Sequence, residues 1–164
     1  MSIWQPVTLD DPHICEDATK RILTALEGLQ DEGVNGKPLF VVVSTTGISA
    51  QRDVPIALLA LYHWLLAVPH ADKREMERVL VEAAGKANGP IAGCVAVKPS
   101  LLVDGVGVGA EKLRVGWEGG ESEWRGPAIG YTVTREDVGE WVFKELVKDK
   151  GRQRWASRTV TVTA

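Results

Sequence analysis

Two short stretches of this chain hold residues that could move protons. Ser44, Thr45 and Thr46 follow directly on the apolar run LFVVV and precede Gly47. Ligands of open α/β sheets bind beyond the carboxyl ends of the strands, so three hydroxyls there could form the polar lip of a site. Further on, His70 and Lys73 lie one helical turn apart in VPHADKREME and would face the same way. A neutral imidazole beside an ammonium can shuttle a proton, and the ammonium can stabilise a developing oxyanion. Each stretch also has a plainer reading. Ser and Thr serve as turn and cap residues, Gly47 permits positive φ, and a helix start carrying His and Lys can simply meet water. The residues alone leave both readings open.

Other patterns carry less chemistry. Gly105, Gly107, Gly109 and Ala110 satisfy G-x-G-x-x-G/A after an apolar run. A dinucleotide loop must open directly into a helix whose first amides hold the pyrophosphate. AEKLRVGWEGGE has too many β-formers and glycines to be that helix, so the match reads as chance. Six tryptophans are many for this length. Trp64 and Trp141 fall on expected core faces of helices, whereas Trp117 and Trp124, in GWEGGESEWRG, could form a lid over a substrate pocket or a subunit contact. Three scattered histidines offer no metal-ligand spacing, so no metal is expected.

The elements that must position these residues alternate along the chain. Helical spacing runs over residues 11–29, with Ile14, Ala18, Ile22, Ala25, Leu26 and Leu29 as the expected buried face, Asp11 as N-cap and Pro12 at N1. The strand at 39–43 follows. A helix is expected over 56–68, interrupted by Pro69, and a second over 71–85. Another buried strand occupies 94–97, with a short strand at 113–115. Thr134 caps a helix whose third residue is Asp137, and 159–163 forms the last strand. This order implies a single α/β domain over residues 1–164 with a parallel sheet.

Composition bounds the partners. With 19 basic against 22 acidic residues the net charge is −3, which argues against nucleic-acid binding. No apolar stretch is long enough for a membrane span. Cys15 and Cys94, far apart, are expected as reduced thiols. The opening segment has the form of neither a signal nor a transit peptide, so the expected location is cytoplasmic.

Read together, STTGISAQRDVP, PHADKREME, KPSLLVDG and GYTVTREDVGEWVFKEL resemble the C-terminal half of atypical short-chain dehydrogenase/reductase proteins, the NmrA-like NAD(P)-binding group of filamentous fungi. The resemblance implies a truncated Rossmann-like three-layer sheet, the C-terminal half of a doubly wound parallel sheet. It places Ser44, Thr45 and Thr46 where the superfamily keeps its catalytic serine, and Lys73 where it keeps the lysine of Tyr-x-x-x-Lys. Pro69 stands in the tyrosine's place. Lys98, Pro99 and Ser100 match the segment that passes the nicotinamide, and Tyr131 lies in the segment leading to the late helix. The N-terminal glycine-rich loop has no counterpart, so the resemblance implies no conventional grip on NAD(P).

From this follows an expected homodimer that covers the exposed sheet edge, and a cofactor-independent acid/base enzyme of isomerase, cyclase or dehydratase type. It would act on a small apolar metabolite of fungal secondary metabolism. His70, Lys73, Ser44 and Thr45 are its catalytic candidates, and Thr46, Trp117, Trp124, Pro99, Ser100 and Tyr131 its substrate-binding ones. Two alternatives stand beside it: an oxidoreductase binding NADP at a dimer crevice, and a non-enzymatic sensor or binding module.

Overall fold

The computed structural model describes residues 7–119, 125–148 and 152–164. In chain order the elements are helix α1 (Ile14–Asp31), strand β1 (Leu39–Val43), helices α2 (Leu59–Leu65) and α3 (Ala67–Gly85), and strands β2 (Gly93–Pro99), β3 (Leu101–Val103), β4 (Arg114–Glu118) and β5 (Thr132–Thr134). Helix α4 (Arg135–Val142), a π-helical turn (Phe143–Lys148), helix α5 (Arg152–Trp155) and strand β6 (Arg158–Thr163) complete it.

The main sheet has the order β1-β2-β6-β4, and β3 pairs with β5 in a separate parallel ribbon. β1, β2 and β6 run parallel, joined by helical crossovers; β1 and β2 are largely apolar runs, whereas β6 alternates threonine and valine. The expectation of a wholly parallel sheet needs correction at β4, which pairs antiparallel with β6. The helix that makes the last crossover follows β5 and not β4, so nothing forces β4 to run with β6.

Strand alternation sorts the core into two layers. Val95, Val97, Val160 and Val162 face Trp141, Leu146 and Trp155. Cys94 faces the other way, into a cluster with Leu23 of α1 and Met76 and Leu80 of α3. Helices thus cover both faces, and the architecture is a three-layer, Rossmann-like α/β fold.

Helix boundaries and buried faces differ from the sequence reading. α1 starts at Ile14, because Asp11 accepts from the His13 amide and the next amides are held from a distance: Cys15 and Glu16 donate to the buried Asp72 of α3, at 3.0 and 2.9 Å. Burial alone would raise the Asp72 pKa, but these bonds hold it below the usual carboxylate range. The break between α2 and α3 falls at Leu66, not Pro69. Pro69 is the third residue of α3, where its missing N–H would have had no helical partner. The buried face of α1 is Thr19 and Leu23, with Cys15 and Leu26 packed beside them, while Ile14, Ala18, Ile22, Ala25 and Leu29 are exposed. Trp64, expected in the core, is also exposed.

The glycine pattern at 105–110 has a structural explanation. Four consecutive amides point at carboxylates of α4: Gly107 donates to Glu136 (3.0 Å), Val108 and Gly109 to the two oxygens of Asp137 (3.0 and 2.8 Å), and Ala110 to Glu140 (2.9 Å). A Cβ at Gly107 would strike the Asp137 carboxylate, and Gly109 needs φ +95°. The segment runs into a single 3-10 turn and β4, with no helix behind it. Thr134 caps α4 as expected, its hydroxyl accepting from the Asp137 amide at 3.0 Å and donating to the Asp137 side chain at 2.8 Å.

Burial of Asp137 opposes its charge, but the Thr134 hydroxyl and the Val108 and Gly109 amides lower its pKa below the ordinary range. The stability that it contributes is therefore full above the unfolded value, about 3.9, and is lost as pH falls through the lower folded value. Asp137→Asn is expected to cost about 2–3 kcal/mol at neutral pH. Urea unfolding at pH 7 and in acid checks this, the deficit shrinking as pH falls through that range.

Candidate functional site

The parallel strands place a buried cation where β1 and β2 end. Lys98 follows Cys94 and Ala96 on the α3 side of β2 and is only 2% exposed. Its ammonium lies 3.0 Å from Glu77 Oε2 of α3 and donates to Ser49 Oγ at 3.1 Å. The other oxygen of Glu77 accepts from Ser44 Oγ at 2.5 Å. A continuous polar chain, Ser44–Glu77–Lys98–Ser49, therefore ties the end of β1, the middle of α3 and the loop after β1 to the central strand. Glu118, at the end of β4, pairs across the sheet with Thr159 and feels the same charges. Desolvation raises its pKa, Lys98 lowers it, and Asp53 and Glu77 raise it further; the net shift is upward.

Beside this chain a groove of about 250 Å³ opens between α3 and the sheet, walled by Leu80, Val81, Ala84, Cys94, Ala96 and Thr159. Glu77 stands at the end nearest the strands' carboxyl termini. The arrangement is apolar walls with charged groups at one end, which suits a small, mostly apolar molecule bearing one reactive polar group.

A second polar cluster lies under Gly47. The Gly47 amide donates to Asp53 Oδ1 at 2.8 Å, and a Cβ on Gly47, at φ +91°, would come within 2.9 Å of the His70 ring and 2.8 Å of Tyr62. His70 and Asp53 are each 2% exposed. Both ring nitrogens of His70 and Asp53 Oδ2 make no hydrogen bond among the described residues. Burial lowers the His70 pKa, Arg74 and His63 add to the drop, and Asp53 opposes it. Burial pushes the Tyr62 phenol up, against the Thr46 hydroxyl, with Asp53 adding to the rise.

The structure gathers some of the expected site residues and separates others. Ser44 joins the Lys98 chain, and His70 lies beneath the turn that follows it. Lys73 donates to the Val43 carbonyl at 3.1 Å and has Cys15 and Asp72 as neighbours, and among the described residues no hydrogen bond links it to His70. Thr45 donates to the Thr46 carbonyl, and Thr46 to the Pro99 carbonyl. Ser100 is buried and donates to Thr163 Oγ1 at 2.9 Å. Tyr131 is exposed, its carbonyl accepting from the Leu101 amide. Trp117 packs edge-on against Trp155, on the opposite face of the sheet from Lys98. Trp124 lies outside the described residues.

Glu77, Asp53 and Glu118 were not singled out from the sequence. For Glu77 the one available signal was a carboxylate in line with the buried Leu80 along α3, at i and i+3. For Glu118 there was none.

No family model and no solved structure matches the chain. It is 47% identical over 162 residues to Reductase pytE of Aspergillus terreus, covering 95% of this chain and 59% of that protein. It is 42% identical over 170 residues to Oxidase pynE of Aspergillus niger, covering 94% of this chain and 58% of that protein. The chain thus spans a little under three fifths of the length of these curated relatives. Among the described residues, no helix is long and apolar enough to cross a membrane.

Two titrations follow from the site. A carboxyl whose folded pKa is raised takes its proton more readily in the folded state, so its cost to stability is complete above the folded value and vanishes below the unfolded one, about 4.3. Glu118→Gln should therefore raise the melting temperature at pH 8 and leave it unchanged in acid. His70, held neutral by burial, acts the other way. Its contribution is complete above about 6.5 and is lost as pH falls towards the lower folded value. His70→Phe should flatten the fall in stability below about pH 6.5, as read by thermal unfolding across that range.

Proposed function

We propose that this chain carries the proton-handling side of an oxidoreductase centre acting on a small, largely apolar organic substrate. Two fungal relatives, one named a reductase and the other an oxidase, support a redox role. The single observation that carries the siting is the buried Lys98–Glu77 pair at the carboxyl ends of parallel strands, beside an apolar groove, with Glu118 two strands away in charge interaction with both. Reduction of a carbonyl and oxidation of an alcohol share one demand on the protein: a proton must arrive at, or leave, the substrate oxygen. Glu118, with its raised pKa, is the donor in this reading, and Lys98 steadies the charge on that oxygen. Ser44 and Glu77 hold Lys98 in place.

The likeness to NAD(P)-binding short-chain dehydrogenases suggests a nicotinamide dinucleotide as the redox partner. The described residues do not fit its pyrophosphate, because the one glycine turn of suitable pattern already directs four amides at Glu136, Asp137 and Glu140. In a second reading the centre works without a cofactor, as an isomerase, cyclase or dehydratase. There Glu118 and Lys98 would move a proton between positions of one substrate.

Steady-state assays against a panel of apolar ketones and alcohols, with NADPH or NADP present or left out, separate the two readings. Dinucleotide-dependent turnover that falls about 100-fold or more in Glu118→Gln and Lys98→Met supports the first. Turnover independent of dinucleotide supports the second. Undiminished activity in Glu118→Gln, folded by circular dichroism, sinks both.

A further inference from the structure

The groove between α3 and the sheet ends on a carboxylate and not on a cation: Glu77 lines it and Lys98 does not. A carboxylate accepts hydrogen bonds at about four positions and donates none. One oxygen of Glu77 accepts from Ser44, the other faces Lys98, and the side chain keeps 18% of its surface exposed. Acceptor capacity is therefore left over at the end of the groove. Strand register also ties this groove to Glu118, because Thr159 of its wall is paired with Ala96 on one side and with Glu118 on the other.

The walls limit what can enter. Leu80 and Cys94 are only 1% and 7% exposed, so the groove is a slot already withdrawn from water and not an apolar face in need of a cover. Small residues stand on both walls, Ala84 and Gly85 on α3 against Cys94 and Ala96 on β2, and they leave about 250 Å³ open between helix and sheet. From Glu77 to Gly85 the helix rises about 12 Å. The space lies just below the range of drug-sized pockets and suits a skeleton of one or two rings.

We infer that this slot takes a small, neutral cyclic alcohol or phenol whose hydroxyl donates to Glu77, in preference to the ketone of the same skeleton. A hydroxyl meets the carboxylate in a charge-assisted hydrogen bond. A ketone brings only lone pairs to the same oxygens and leaves the carboxylate without a donor. An anion would be repelled by Glu77, and an ammonium would lie beside the charge of Lys98, 3.0 Å from the same carboxylate. The inference rests on the reading of the groove as a substrate site and gives that reading a direction: of an alcohol and its carbonyl partner, the alcohol is the one held.

Calorimetry on the intact chain, with a tetralol and a tetralone that carry oxygen on the same ring carbon, tests this. The alcohol is expected to bind at least about tenfold more tightly. In a Cys15→Ser background it should also slow the alkylation of Cys94 by iodoacetamide, since Cys94 forms part of the wall. Ala84→Phe fills the slot from a half-buried position and should abolish binding of both compounds with circular dichroism unchanged. Glu77→Gln places a donor beside the remaining acceptor, so the preference for alcohol over ketone should shrink towards one. If Glu77→Gln does not fold, the matched pair and Ala84→Phe decide. Equal or tighter binding of the ketone, binding of neither compound, or binding that survives Ala84→Phe overturns the inference. None of these arms reads turnover, so the inference can fail while the Glu118 assay succeeds, and it stands if that assay fails.

Discussion

A lysine ammonium inside a β-sheet sets the terms for everything around it. Left without partners, a buried cation costs far more than a domain of this size can absorb. Lys98 is tolerable because Glu77 and Ser49 surround it, and each comes from a different segment. Satisfying that charge fixes the rotation of α3, draws Ser44 inward and anchors the loop that follows β1. Such pairs seldom add much net stability over an apolar replacement, but breaking one partner away is severe. A sequence that keeps this arrangement at the mouth of a parallel sheet has retained a costly feature at the place where α/β folds bind their ligands.

The two halves of the molecule solve the problem of charge in opposite ways. On the α3 side, carboxylates and a cation face one another at the end of a groove, where a small molecule could enter. On the α4 side, carboxylates are turned inward and spent on backbone amides. Asp137 and its neighbours do for the turn at 107–110 what an external anion does elsewhere, which is why a glycine pattern suggestive of phosphate binding is structural here.

The strands were largely legible from residue order, because runs such as LFVVV and CVAV admit few other conformations in a soluble domain. Thr134 announced its helix equally well. Most of the errors share a cause: they depended on a partner distant in sequence. The start of α1 is decided by Asp72, more than fifty residues away, and the buried side of that helix by α3. Periodicity identified a stripe on α1 but could not say which of two stripes faces inward. Pro69 looked like a break because its tolerance in a first turn depends on where the turn begins. In the site, Ser44 and His70 were visible as residue types able to do chemistry. Glu77 and Glu118 were not, since a lone acid on a helix or strand acquires meaning only when the fold sets it beside a buried cation.

Among the described residues no strand pairs with the outer side of β1, and that edge also matters for the chain outside its folded context. LFVVV contains no charge, no proline and no glycine, and among the described residues no strand pairs with its outer edge, where the Val43 carbonyl accepts from Lys73. Segments of this kind template fibrillar growth when they meet their own kind in quantity. Whatever caps that strand in the cell therefore also acts as a safeguard of solubility. Overproduction faster than capping should divert the polypeptide into insoluble deposits before any loss of the fold itself.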